Sequence, residues 1–184
     1  MLIGASDYSL GLTVFCLFAP SYYGRVPVFA LSGTRPTIES LLEAINTIKV
    51  DWSFVPPLVI DEIGKQPELL ERLSGRSDYL IHTGGAVTKA TGDAVANRVP
   101  IWQLLGSSEF ASFPLIHSVD SFDNTKDWQH MQPNPLLGLK IQHQYKDPHK
   151  LVVERSPKTE SILAVFSHFQ DAHKFRTKDL FKVH

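Results

Sequence analysis

Three short, largely apolar runs, Asp51–Val55, Tyr79–His82 and Ile101–Leu105, lead into Pro56-Pro57, Gly84-Gly85 and Gly106. Each run is too short for a helix, and each is cut by residues that favour turns. The segments between them read as helices: Leu58–Ile63, Pro67–Leu73 and Lys89–Asn97. Upstream, Thr37 is placed to cap a helix whose apolar face holds Ile38, Leu41, Leu42, Ile45 and Ile48. Thr37 to Ser40 lacks the usual Glu or Gln partner of a capping box. Leu10–Ala19 reads as a core helix stopped by Pro20, and Val26–Leu31 as a buried strand. Strand and helix thus alternate over residues 1–110, which predicts an α/β layer with a mainly parallel sheet.

The texture changes after Phe110. Ser, Asp, Asn and Pro cluster from 118 to 135, a composition that predicts a long surface connection. Short apolar runs follow at Leu139–Tyr145, Lys150–Arg155 and Ile162–Phe166, the pattern of an antiparallel meander. The expected organisation is an α/β part over residues 1–117 and a β-rich part over 118–184.

Bulk properties remove several classes of function. Hydrophobic residues make up 43% of the 184 and charged residues 20%, so the chain can bury a core. Eighteen Lys and Arg oppose nineteen Asp and Glu, which gives no electrostatic footprint for nucleic acid or for an anionic membrane. Cys16 is the single cysteine, so no internal disulfide can form, and a reducing compartment is expected. The apolar stretch before Pro20 follows Asp7 rather than a basic segment, unlike a signal peptide. It is also too short to span a bilayer. A soluble, cytoplasmic protein is the expectation.

Three places suggest chemistry, each with a plainer alternative. Thr83-Gly84-Gly85-Ala86 joins a strand to a helix, and paired glycines let backbone approach a planar or anionic ligand closely. A simple Gly-Gly turn would look the same. Leu104-Leu105-Gly106-Ser107-Ser108-Glu109 lies at a strand's C-terminal end, where ligands bind in open α/β sheets. Small hydroxyls there suit phosphate oxygens, and a carboxylate suits Mg²⁺. Ser107 capping a helix, with Glu109 against its dipole, is the alternative. Phe175–Phe181 carries Asp179 between apolar anchors, where a carboxylate can accept hydrogen bonds from vicinal hydroxyls. An amphipathic edge strand explains it equally.

The histidines do not read as metal ligands. His143 and His149, and His168 and His173, lack a further carboxylate or cysteine at zinc-like spacing. No Gly-x-Ser-x-Gly elbow is present to raise a serine nucleophile.

Taken in order, the three places resemble the core motifs of the adenylate-forming superfamily: acyl-CoA synthetases, luciferases and peptide-synthetase adenylation domains. Val55-Pro56-Pro57 resembles that family's proline-terminated strand, and Gly84-Gly85-Ala86 its Gly-Gly-Ala turn. Leu105–Glu109 is similar to Tyr-Gly-x-Thr-Glu, and Phe175–Leu180 to Tyr-x-Thr-Gly-Asp-Leu. Arg176–Phe181 and the Leu151–Glu154 strand are similar to fungal peptide-synthetase-like proteins and adenylate-forming reductases of secondary metabolism.

The resemblance implies part of an adenylation-domain large subdomain, a parallel-rich sheet with helices followed by a short antiparallel β segment. It implies ATP or AMP with Mg²⁺ as cofactors and a small-molecule carboxylic acid as substrate. A carrier domain, or the rest of a synthetase, is the implied protein partner. Gly84, Gly85 and Ala86 would border adenine, with Gln103, Leu104 and Leu105 lining the nucleotide pocket. Ser108 would touch phosphate, Glu109 would hold Mg²⁺ and serve catalysis, and Asp179 would bind the ribose hydroxyls.

Departures from the pattern are equally informative. Leu105 replaces an aromatic ring, Ser108 a Thr, Lys178 a Gly, and Asp7-Tyr8 a Phe-His pair. The 184 residues contain neither the Gly/Ser/Thr-rich phosphate loop ending in Lys nor the C-terminal lysine domain of the family. Adenylation by this chain alone is therefore expected to be weak. Expressed alone, without the rest of such a domain, it is expected to be poorly soluble because strand edges and apolar faces are left uncovered. Tyr8, Gly11 and Phe110 are too few positions to read an acid specificity.

Overall fold

The computed structural model of the chain describes residues 2–3, 21–24, 26–29, 37–107, 109–113, 115–116, 123–143 and 149–182. The expected helix over Leu10–Ala19, with Cys16, Tyr8 and Gly11, lies outside the described residues, as does Ser108. The chain divides into two compact units. The first holds 1–105 and 118–129, and the second holds 106–117 and 130–184.

The first unit is an α/β layer. Strands β1 (Leu2–Ile3), β2 (Val28–Phe29), β3 (Val50–Phe54), β4 (Ser77–His82) and β5 (Ile101–Gln103) form one sheet in the order β2-β1-β3-β4-β5. Every pairing in it is parallel. Helices α1 (Ile38–Thr47), α2 (Pro57–Gly64), α3 (Pro67–Ser74) and α4 (Lys89–Ala96) supply the crossovers. Ile38, Leu41 and Ile45 of α1, Val59, Ile60 and Ile63 of α2, and Leu70 and Leu73 of α3 are buried with Val50, Leu80 and Ile101 of the sheet. Burying side chains of this size contributes roughly 1.5–3 kcal/mol each.

Local chemistry sets the helix boundaries. The Thr37 hydroxyl accepts the Ser40 N–H at 3.3 Å, and the Ser40 hydroxyl accepts the Thr37 N–H at 3.0 Å. Ser40 thus completes a reciprocal capping box that the sequence, lacking Glu or Gln there, did not suggest. Pro57 and Pro67 open α2 and α3 at positions whose N–H groups have no intrahelical partner anyway.

The segment expected to be a surface connection contributes to this core. A short helix α5 (Asn124–Asp127) places Asn124 against Ile101, donating to its carbonyl at 2.8 Å and accepting its N–H at 2.9 Å. Trp128 is 2% exposed, and its indole N–H donates to Asp93 at 3.0 Å. Its ring lies against Gly92 of α4, where a Cβ would collide with the indole.

The second unit is largely antiparallel. Strands β8 (Leu139–His143), β9 (His149–Glu154) and β10 (Lys174–Phe181) form a sheet in the order β10-β9-β8, and β6 (Leu105–Ser107) pairs with β7 (Ala111–Phe113). Two expectations are corrected. Ile162–Phe166 is not the third strand of the meander; Ala164–His168 forms a short helix, α6, and β10 takes that place. The Arg155 guanidinium donates to the Phe166 and Phe169 carbonyls at 3.3 and 3.1 Å and lies 4.9 Å from the Phe166 ring centroid. A cation at carbonyls near the end of α6 is favourable, and it comes from the residue that follows β9. Ser107 does not cap a helix either, because the chain turns directly into β7.

Candidate functional site

The first unit carries the Gly-Gly-Ala turn. Strand β4 ends at His82, and the Leu104 N–H donates to the His82 carbonyl at 2.8 Å. One residue on, the Thr83 hydroxyl donates to the Leu104 carbonyl at 2.9 Å. These bonds bracket the ends of β4 and β5, so Gly84-Gly85-Ala86 and Gln103-Leu104-Leu105 emerge side by side. Gly84 has φ +83°, a conformation that disfavours any side chain. Gly84, Gly85 and Ala86 are exposed, and Val87, 7% exposed, anchors the return to the core. Gln103 and Leu104 are half-buried. Leu105 is 6% exposed, so it serves the core at the position where the resembled motif has an aromatic ring.

A second tie fixes the far side of the turn. Asp61 of α2 accepts the Thr88 N–H at 2.9 Å, the Thr88 hydroxyl at 2.7 Å, and the Thr91 hydroxyl. Thr88 precedes α4 without a side-chain cap of its own, so Asp61 supplies the carboxylate from another helix. Burial raises the Asp61 pKa, but the hydrogen bonds from Thr91 and Thr88, with Lys65, outweigh it and hold the carboxyl below its ordinary range.

His82 was not singled out by its sequence context. It is fully buried at the end of β4, and neither ring nitrogen has a hydrogen-bond partner among the described residues. Burial pushes its pKa down to about 4, against the opposing pull of the nearby Gly85 backbone and the Asp61 carboxylate. The ring is neutral at pH 7.

The second unit carries the two carboxylates. Glu109 sits in the turn between β6 and β7, where its N–H donates to the Ser107 hydroxyl at 3.2 Å. Its carboxyl is held below the ordinary range by the Ser107 hydroxyl first, then by its own backbone, with smaller help from Lys178 and His168. The next residue, Phe110, is buried and stacks on Phe113 with centroids 4.5 Å apart. Phe110 also meets Phe175 of β10 edge-on at 5.9 Å, and Phe175 stacks on Phe169 at 5.4 Å. This aromatic cluster, invisible as a motif, joins the Glu109 turn to the strand that bears Asp179.

Asp179 is exposed on a bulge. Arg176 pairs with Val152 and Leu180 with Lys150, so three residues of β10, 177 to 179, stand opposite Leu151 alone. Bulges of this kind re-aim side chains and are common beside functional sites. Thr177 points inward, 1% exposed, while Lys178 and Asp179 face out. Of the residues singled out in the sequence, the structure brings together Gly84–Ala86 with Gln103–Leu105 in one unit. In the other it joins the Glu109 turn to β10.

No family model matches the chain. It is 26% identical over 167 residues to a carboxylic acid reductase of Neurospora crassa, covering 89% of this chain and 15% of that protein. It is 24% identical over 169 residues to an isocyanide synthase-NRPS hybrid of Aspergillus fumigatus, covering 91% of this chain and 10% of the hybrid. Among solved structures, the N-terminal subdomain of NpsA from Klebsiella oxytoca, in complex with anthranilyl-AMSN, has the same fold. The TM-score is 0.62 at 16% identity, over 83% of this chain and 40% of that one. The chain thus spans well under half the length of each of these proteins. In sequence and in fold, it resembles part of an adenylate-forming domain of the peptide-synthetase and carboxylic-acid-reductase kind.

Proposed function

We propose that the chain is the central part of an adenylation domain that binds ATP or AMP and, once completed, converts a small carboxylic acid to its acyl-adenylate. The observation that carries this reading is the similarity to a carboxylic acid reductase over 89% of the chain. The turns at the ends of β4 and β5 fit the role of an adenine border. Gly84, Gly85 and Ala86 would flank the base, with Gln103, Leu104 and Leu105 behind it. Ser108 would contact phosphate and Asp179 would accept the ribose hydroxyls. Glu109, whose carboxyl is held below its ordinary range, would offer Mg²⁺ the oxygen ligand it prefers alongside phosphate oxygens. Lys178 competes electrostatically for the same carboxylate.

In the reaction, a carboxylate oxygen of the acid bonds to the α-phosphorus. The bond from that phosphorus to the bridging oxygen breaks, and pyrophosphate leaves with the electron pair. Bound Mg²⁺ supplies neutralisation of the charge that builds there. The 184 residues hold no phosphate loop and no lysine for the α-phosphate, so they turn over poorly by themselves. Electrostatic stabilisation is usually the largest catalytic contribution. A cytoplasmic site of action belongs to this proposal; the single cysteine, suited to a reducing compartment, supports it.

ATP–pyrophosphate exchange with a panel of aryl and aliphatic acids tests the reading. Negligible exchange by the chain alone is expected, together with AMP binding that weakens in Glu109→Ala and Asp179→Ala. Robust exchange would overturn the claim of inactivity. Unchanged AMP affinity in both variants would instead make the chain a non-catalytic binding module. A second reading is favoured by the small share of each relative that the chain covers: one piece of an active synthetase or adenylate-forming reductase, joined to a carrier. Exchange restored by co-expression with a polypeptide bearing the phosphate loop and lysine domain would distinguish it.

A further inference from the structure

The β8–β9 hairpin brings two imidazoles together that the sequence keeps six positions apart. His143 ends β8, His149 opens β9, and the register pairs them directly across the ladder. Directly opposed residues project their side chains to the same face of a sheet. The rings stand edge to face with centroids 5.0 Å apart. His143 is exposed and His149 half-buried, and the Nδ1 of His149 is buried with no hydrogen-bond partner among the described residues. The neighbouring pair, Gln142 and Lys150, belongs to the opposite face, because successive residues alternate.

We propose that His143 and His149 form a two-histidine site for a late first-row divalent ion, of the Ni²⁺, Cu²⁺ or Zn²⁺ class. Imidazole nitrogens suit these ions, and affinity along the row peaks at Cu²⁺. With metal–nitrogen bonds of about 2 Å, two ligating nitrogens stand roughly 3 Å apart, a separation within reach of rings already in contact. No cluster of three or more His, Cys, Asp or Glu side chains occurs among the described residues, so water would complete the coordination shell. The site is built on a paired ladder rather than on a loop, which fixes the two Cα positions before the ion arrives. An ion held there clamps the last ladder pair before the connection between β8 and β9 and stabilises the folded chain by mass action. It lies apart from Glu109 in sequence and uses a different ligand chemistry from the oxygen set expected for Mg²⁺.

The test is titration of the full chain, freed of any affinity tag, with Ni²⁺ by calorimetry and by thermal melting. One ion per chain and a Tm that rises with Ni²⁺ are expected. His143→Ala and His149→Ala should each weaken binding at least about tenfold, which is 1.4 kcal/mol, and abolish the Tm rise. His168→Ala should change neither. His143→Gln, at an exposed position with a polar side chain retained, keeps the test valid if a variant at His149 fails to fold. Wild-type affinity in either His143 variant overturns the proposal, as does an equal loss in His168→Ala.

Discussion

Asp61 accepts the backbone N–H of Thr88 at 2.9 Å and its hydroxyl at 2.7 Å, across twenty-seven positions of sequence. One carboxylate on α2 therefore holds the residue from which α4 starts, and the Thr91 hydroxyl in its first turn. Asp61→Ala is expected to lower unfolding stability by about 1–2 kcal/mol, the scale of losing hydrogen bonds to a charged group. Because the folded pKa is depressed, this contribution is complete above the unfolded value near 3.9. It is lost as pH falls through the lower folded value. Urea denaturation of wild type and variant from pH 7 to pH 3 checks both statements; a pH-independent difference would contradict them.

His82 sets a different window. Its folded pKa is about 4 against an ordinary value of 6.5. Above that ordinary value both folded and unfolded states are neutral and nothing is lost. Between the two values the unfolded chain takes up the proton and the folded chain does not. Stability therefore falls on acidification, by on the order of 3 kcal/mol at full extent. His82→Leu should flatten that part of the profile in the same denaturation series, and an unchanged slope would rule the assignment out.

Gly92 and Trp128 fit only as a pair. Gly92→Ala places a methyl group into the indole, and overpacking of this kind costs about 1–3 kcal/mol. In isolation the substitution would favour a helix, since Ala is the better helix former. The sign of the measured change therefore decides between helix propensity and packing. A double variant with Trp128→Leu should recover part of the loss through non-additivity.

Phe110 and Phe175 link the Glu109 turn to β10 by an edge-on ring contact. A double-mutant cycle with Phe110→Leu and Phe175→Leu should give a coupling of about 0.5–1.5 kcal/mol. Strict additivity would show that the rings do not cooperate. AMP affinity measured in the same four proteins reports whether the cluster positions the turn that bears Glu109.

The alternation of β3, α2, α3, β4, α4 and β5 was legible because Pro, Gly and apolar period mark each boundary locally. The failures share a cause. Ile162–Phe166 is a five-residue apolar run that periodicity cannot assign, and the choice of helix comes with a guanidinium from Arg155. Trp128 in a polar stretch looks like part of a loop until Gly92 leaves room for its ring. Ser40 completes a cap in the role usually given to Glu. At the candidate site, the order of Gly84-Gly85-Ala86, Glu109 and Asp179 was readable. The Thr83–Leu104 bracket, the Phe110–Phe175 contact and the burial of His82 were not, because each depends on partners distant in sequence.

The bulge in β10 has a further consequence. Pairing is in register on both sides of it, from Lys174 to Arg176 and again at Leu180 and Phe181. The strand thus stores two residues of slack between two fixed seams. The two exposed residues there, 178 and 179, can change in kind, as Lys178 differs from the glycine of the resembled motif, without resetting the alignment of either flank. A carboxylate carried on such slack can be re-aimed over generations while the sheet beneath it stays still.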